Sequence, residues 1–426
     1  MRGALLLVLL GWLPPSWVEG GRFDRTNSRC EAGRSGRGLE CSTGNLAFFE
    51  FAPASGAGMG SACACTTPTG ARGEALTFTR TGDATCSRSG LATTGIQNGD
   101  LSVCTANQPR VEPSGGVLGQ RVEGARTFSL LRFIDYTNAL WADVGTPTPT
   151  TGQTSPWTGA LSTSAVLYDD NDAAAQEGRS QTVTVTAAVA HTMHCYVKAG
   201  TLTSAAISLD GTVATITGLV TTSWNIVEVT DASSSGVAIA AQILNGSTAT
   251  GTGTVIWGGC AVEAGSYRTS IMPTVASAVT RNAETTSLTS TVLPLTGSVA
   301  VTTQRPYGSA LASNQTLVDA LVSTSSGWRF SFVGSQLRIE KGGPLASVGA
   351  TTTWAAVEVP RWAASFDGAS ASLFVNGTVL IGPSVLAGFT APTYTPVALG
   401  WDHQGFASFD GIISRVCVDP DPNRCR

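Results

Sequence analysis

An all-β fold is what this sequence predicts, on three observations. Only 13% of the 426 residues are charged, too few to give amphipathic helices their polar faces. Apolar residues alternate with Thr, Ser and Ala in short runs such as the TVTVT of residues 182–186, which is the period of a half-buried strand. Glycine, at 49 residues, and Asp-Gly or Asn-Gly pairs punctuate those runs where hairpins need them.

The elements follow in chain order. Residues 1–20 read as an export signal peptide: Arg2, an apolar run from Ala4 to Leu13, then Pro14 and Pro15, then Val18 and Gly20 before a cleavage point. The run is about ten residues, short of the roughly 20 that span a bilayer as a helix, so no membrane span is expected. Residues 21–125 form a Gly-rich, disulfide-rich segment holding Cys30, Cys41, Cys63, Cys65, Cys86 and Cys104. An even cysteine count in an exported chain implies disulfides, and the pairing among these six stays open. Cys63-x-Cys65 without a histidine nearby does not have zinc spacing.

Residues 126–275 carry strand-like runs at turn-punctuated intervals, the rhythm of a β-sandwich. Alternation puts Met193, Cys195 and Val197 on one strand face, and Ile256, Gly258, Cys260 and Val262 on another, so Cys195 and Cys260 are predicted to meet. Residues 276–284 read as a linker following Pro273, with little to bury. Residues 285–426 repeat the rhythm as a second sandwich. Its clearest hairpin is Asn376-Gly377, Trp328 and Trp362 alternate with phenylalanines as core residues do, and Cys417 and Cys425 close a terminal loop.

Charge excludes a nucleic-acid footprint. Residues 21–132 hold 12 Arg against 9 acids and residues 133–426 hold 12 basic residues against 19, with no basic stripe interleaved with aromatics. Lysine occurs only at Lys198 and Lys341, a dominance of arginine that reads as codon composition, not chemistry.

Catalytic constellations are missing. His191 and His194, three apart, fall on opposite faces of a strand and do not share a metal. No Gly-x-Ser-x-Gly elbow is present, and no matched carboxylate pair of the glycosidase kind. Asp367 and Asp410, each in a Ser-Phe-Asp-Gly, read as turn residues. Asp169, Asp170, Asn171 and Asp172 have the oxygen ligands of a calcium site without its alternate-position spacing, and read as a solvated loop. No cofactor is therefore expected, Ca²⁺ being the one candidate. Of the aromatics, Trp401 is the candidate ligand contact, since Asp402, His403 and Gln404 beside it supply the hydrogen-bonding groups a sugar requires.

The stretches LTFTRTGDATC (76–86), NQPRVEPSGGVLGQRVEGARTFSLL (107–131) and WGGCAVEAGSYRTSIMPTVASAVTR (257–281), together with RWAASFDGASASLFVNGTVL (361–380), resemble phage and prophage tail-type structural proteins. In those a carbohydrate-binding-module-like jelly roll is followed by a laminin-G or concanavalin-like jelly roll. The resemblance implies two tandem jelly-roll sandwiches and a non-catalytic virion structural or adhesion protein that recognises surface glycans. The cysteines and leader place it outside the cell or on a virion. A polysaccharide-degrading enzyme and a ligand-free, self-assembling shell or appendage component are the alternatives.

Overall fold

The computed structural model describes residues 47–50 and, with breaks, 76–425; the longer breaks are 289–296, 305–313, 321–326, 342–346, 353–357, 387–396 and 401–408. Among the described residues every regular element is a β-strand and the sheets are antiparallel. The all-β expectation holds.

Two sheets built from residues 142–264 face each other. One runs in the order Asn225–Asp231, His191–Ala199, Gly253–Ala264, Val166–Asp170, Thr148–Thr150; the other Thr212–Thr217, Ser204–Leu209, Ala238–Asn245, Gly178–Thr184, Ala142–Val144. Between them lies a core that includes Met193, Val197, Ile207, Ile243 and Trp257. Pleating selects those residues, since Val183 is buried between exposed Thr182 and Thr184. Cys195 pairs in register with Cys260, and the two are disulfide-bonded inside the core.

A second pair of sheets is built around residues 285–419. The larger runs Thr378–Val385, Ser370–Val375, Arg361–Phe366, Gly297–Gln304, Gly411–Asp419, Val117–Val122, Arg110–Ser114, and its partner includes Gln315–Asp319, Trp328–Val333 and Gln336–Lys341. Trp328 and Trp362 are fully buried; Phe332 meets Trp362 edge-on at 5.0 Å, and the Trp362 indole N–H donates to Thr303 Oγ1 at 3.0 Å. Asn376 and Gly377 both have positive φ, 49° and 79°, and join Val375 to Thr378 in a two-residue hairpin. Cys417 is bonded to Cys425.

The segment before residue 125 is more integrated than its composition suggests. Leu76–Thr79 pairs with Thr285–Leu288, and the Val117–Val122 strand pairs with Gly411–Asp419, so both sheets of the second sandwich take strands from it. Gly119 permits this approach: a Cβ there meets the Ile412 side chain at 2.4 Å and the Ile413 carbonyl at 2.9 Å. Ala84–Ser87 and Leu101–Cys104 form a hairpin clipped by a Cys86–Cys104 disulfide, and Ile96 bridges to Trp224. Cys30, Cys41, Cys63 and Cys65 lie outside the described residues.

The stretch joining the sandwiches is not a solvated tether along its length. Ser277 and Ala278 are exposed, but Val279–Arg281 pairs with Arg126–Phe128, and Ile271, Met272, Arg281 and Glu284 are buried. Its few apolar residues conceal this, because it buries the charges of Arg281 and Glu284 along with Ile271 and Met272.

Candidate functional site

Arg80 follows the Leu76–Thr79 strand, Arg110 and Arg121 sit on the hairpin that extends the second sandwich, and Glu123 and Glu284 lie just beyond the strand ends where the two sandwiches meet. All five are buried. Glu284 accepts from Arg80 at 2.7 Å and from Arg110 through both oxygens at 2.8 and 2.5 Å. Arg110 also reaches Glu123 at 2.7 Å and Ser270 Oγ at 2.8 Å, and Arg121 bridges Glu112 and Glu123 at 2.9 Å each. Arg281 closes the set on Glu123 at 2.9 Å while donating to the carbonyls of Ser270 and Gly124. Every charge has a partner of opposite sign at contact, the condition under which buried ions persist.

The electrostatics follow from that arrangement. Burial alone raises the Glu123 pKa, but the guanidinium groups of Arg110, Arg121 and Arg281 overcome it and hold the carboxyl well below the usual range. Burial likewise opposes ionisation of Arg110, and Glu123 and Glu284 reverse the effect and raise its pKa. The Glu123 carboxyl therefore stays ionised and is not a proton donor at neutral pH.

Beside this network lies a second cluster with the opposite tendency. Glu263 accepts from Thr269 N and Oγ1, both at 2.6 Å, with Arg126 Nε 3.6 Å away. Burial pushes its pKa up to about 7, against the pull of Arg281, Arg126 and Thr269. His194 Nδ1 is 3.7 Å from Glu263 Oε1; burial, with the Arg268 charge adding to it, pushes the imidazole pKa well below its ordinary value. The ring is neutral, so this contact is not an ion pair at neutral pH.

Asp410 belongs to the same seam. It accepts from Gly124 N at 2.6 Å and from the Tyr267 hydroxyl, with Arg126 Nη2 at 3.5 Å. The turn expectation therefore fails for Asp410, whose neighbours across the seam claim its carboxylate. It holds for Asp367, which accepts from Ala369 N, Ser370 N and Ser370 Oγ.

Trp401, Asp402, His403 and Gln404 lie outside the described residues. The residues that frame them are described. Gly400, with φ of 72°, donates its N–H to Leu317 O at 3.0 Å, and Phe409 N donates to Gly400 O at 2.7 Å. Gly400 and Phe409 are thus held to each other by a hydrogen bond, and Phe409 adjoins Asp410.

The other sequence candidates are accounted for locally. Asp170 accepts from Glu177 N and Asp172 N, and Glu177 accepts from Asn171 N and from Thr146 N and Oγ1, so the 168–178 loop is braced by its own carboxylates. His191 Nδ1 contacts Val189 O and Ser234 Oγ, each at 2.9 Å. A cavity of about 10 Å³ bounded by Thr85, Ser87, Tyr196, Arg121 and Arg268 has room for one water-sized occupant and not for a sugar.

The seam is what sequence reading missed. Its signal was present in the excess of arginine over lysine: Arg110 uses its planar fork against two carboxylates, which a lysine ammonium does not reproduce. Composition alone did not separate that role from codon usage.

Fold and seam together define an all-β protein of antiparallel sandwiches locked through a buried arginine–glutamate network. No family model matches the chain, and no curated protein matches it. Among solved structures it is similar to the Ruminococcus gnavus IT-sialidase CBM40 (16% identity, 30% of this chain and 77% of that one, TM-score 0.25). It is similar also to the mouse laminin alpha1 chain domains LG4-5 (11%, 55% and 83%, TM-score 0.25) and to the CBM22-1-CBM22-2 tandem of Paenibacillus barcinonensis Xyn10C (9%, 70% and 99%, TM-score 0.24). At TM-scores this low the likenesses carry no functional argument.

Proposed function

We propose that this chain is a non-catalytic, exported binding or adhesion protein, of the phage-tail structural type that its motifs resemble, and that it recognises surface glycans through Trp401, Asp402, His403 and Gln404. The single observation that carries the reading is the root of that segment: Gly400 and Phe409 are hydrogen-bonded to each other and lie beside Asp410, itself fixed by Gly124, Tyr267 and Arg126. A recognition segment gains from a rigid base, because less ordering entropy is lost on binding.

The reading treats residues 126–275 and 285–426 as two modules, with 276–284 between them, and needs no cofactor. Among the described residues three disulfides fit an oxidising compartment, and no helix is long and apolar enough to cross a membrane. Glu123 and Glu284 do not serve as the carboxyl pair that glycoside hydrolysis requires, since both are buried and enclosed by arginines.

A glycan array with the intact protein tests the proposal. Binding to defined glycans, weakened in Trp401→Ala by roughly 1 to 2 kcal/mol as for loss of an interface anchor, is the expected result. No binding to any glycan overturns it, and release of reducing sugar from a polysaccharide panel transfers the chain to the enzymes.

A further inference from the structure

We infer that the strand Thr212–Thr217 is a self-association edge, pairing antiparallel with the same strand of a second copy of this chain. It is the outermost strand of its five-stranded sheet and consists only of Thr, Val, Ala and Ile, with Val213 57% exposed.

The backbone sets which groups are free. Asp210 and Gly211 both have positive φ, 50° and 84°, the mark of a two-residue primed turn, which makes Leu209 and Thr212 the hydrogen-bonded pair that closes the hairpin. The Asp210 N–H donates to Ala240 O on the other side, which fixes the same alternation along Ser204–Leu209. Ala214 and Ile216 then bond inward to Ile207 and Ala205, while Val213, Thr215 and Thr217 aim their N–H and C=O groups away from the sheet.

The same residues share the outer face of the sandwich, and that fixes the register. To keep outer faces outward, a residue must meet one of its own parity in the second copy. The outward-aimed groups then match when Thr215 lies opposite Thr215 and Val213 opposite Thr217, forming about six backbone hydrogen bonds at two per bonded pair. No charge meets a like charge.

Four other sheet edges in the described structure carry the devices that block such pairing, and the edge strands Leu76–Thr79 and Ser347–Thr351, which lack them, are shorter than Thr212–Thr217. Pro149 lies in one three-residue edge strand and Asp143 in another; Glu228 stands on a third under Arg268; Pro383 and a register shift interrupt a fourth. Thr212–Thr217 has none of these. Five paired residues bury a few hundred Å², below the ~800 Å² per partner of a stable interface, so the association is weak and concentration-dependent.

Sedimentation equilibrium of the intact chain from about 1 µM to 500 µM, a range that brackets weak association, tests this. A monomer–dimer equilibrium is expected, weakened about tenfold or more in dissociation constant by Val213→Lys and by Thr215→Pro, and unchanged by Thr182→Lys three strands inward. Thr215→Cys should cross-link to itself, since bonded pairs lie about 5.5 Å apart at Cα, and Val213→Cys should not. Melting curves identify any variant that is merely unfolded, and the cysteine variants decide in that case. A monomer at every concentration, a dimer indifferent to both edge variants, or no cross-link through Thr215→Cys overturns the inference.

Discussion

Arg110 and Glu284, 174 residues apart in sequence, share two hydrogen bonds of 2.8 and 2.5 Å with both side chains fully buried. One belongs to the hairpin before the first sandwich and the other to the start of the second, so the contact closes a long loop with charge instead of apolar surface.

Removing one member leaves the other in a site closed to bulk solvent. Glu284→Ala should therefore lose about 3 to 5 kcal/mol of stability, the range for breaking one side of a buried pair. Glu284→Gln keeps the volume but removes the charge that Arg80 and Arg110 both contact, leaving Arg110 only Glu123 as a carboxylate partner, so it should be nearly as damaging. Equilibrium denaturation of both variants checks this; a loss under 1 kcal/mol in each means that the seam does not hold the modules.

The seam also predicts an unusual pH response. Glu263 has its folded pKa raised to about 7 from an unfolded value near 4.5, so between those pH values the folded state holds a proton that the unfolded state has released. Its contribution to stability is greatest below pH 4.5 and is lost as pH rises through 7. His194 acts in the opposite sense: its folded pKa is depressed, so stability is lost as pH falls below about 6.5 and the unfolded imidazole alone takes the proton. Glu123, also depressed, adds a further loss below about pH 4.5. Relative to the parent, Glu263→Gln should gain stability on going from pH 5 to pH 8, by an amount on the order of 2 kcal/mol. Urea melts at both pH values measure it, and a constant difference contradicts the assignment.

The Cys195–Cys260 disulfide joins neighbouring strands within a core already closed by Met193, Val197 and Trp257. Replacing both cysteines with alanine should cost about 4 kcal/mol, from restored freedom of the unfolded chain. The domain should still fold, because the sheet register there does not depend on the bond alone. A double variant that melts at the parent temperature would show that the unfolded chain is constrained by other means.

These features differ in how far the sequence disclosed them. Cys195 opposite Cys260, the Asn376-Gly377 turn and the inward Trp328 and Trp362 all follow from strand period or turn chemistry, which are local and survive in a single sequence. Arg80 against Glu284 is not local: the residues stand 204 positions apart, on segments too short and too polar to announce a core. Asp410 was misread for a related reason, since an Asp-Gly pair signals a turn unless distant partners such as Tyr267 and Gly124 claim its carboxylate.

Gly400 links the seam to the candidate recognition segment, and its substitution separates their roles. Its φ of 72° is one that residues with a Cβ adopt at a cost, and a Cβ there meets Val122 Cγ1 at 2.9 Å and Ile413 Cδ1 at 3.3 Å. Gly400→Ala therefore carries about 1 kcal/mol of backbone strain and about 1 to 3 kcal/mol of overpacking. Because Phe409 N donates to Gly400 O, the shift that relieves this crowding also moves Phe409. The variant should melt lower than the parent and bind glycan more weakly, whereas Trp401→Ala should lose affinity with little change in melting temperature. If Gly400→Ala loses stability while glycan affinity stays at the parent value, the base at Gly400 and Phe409 does not position the recognition segment.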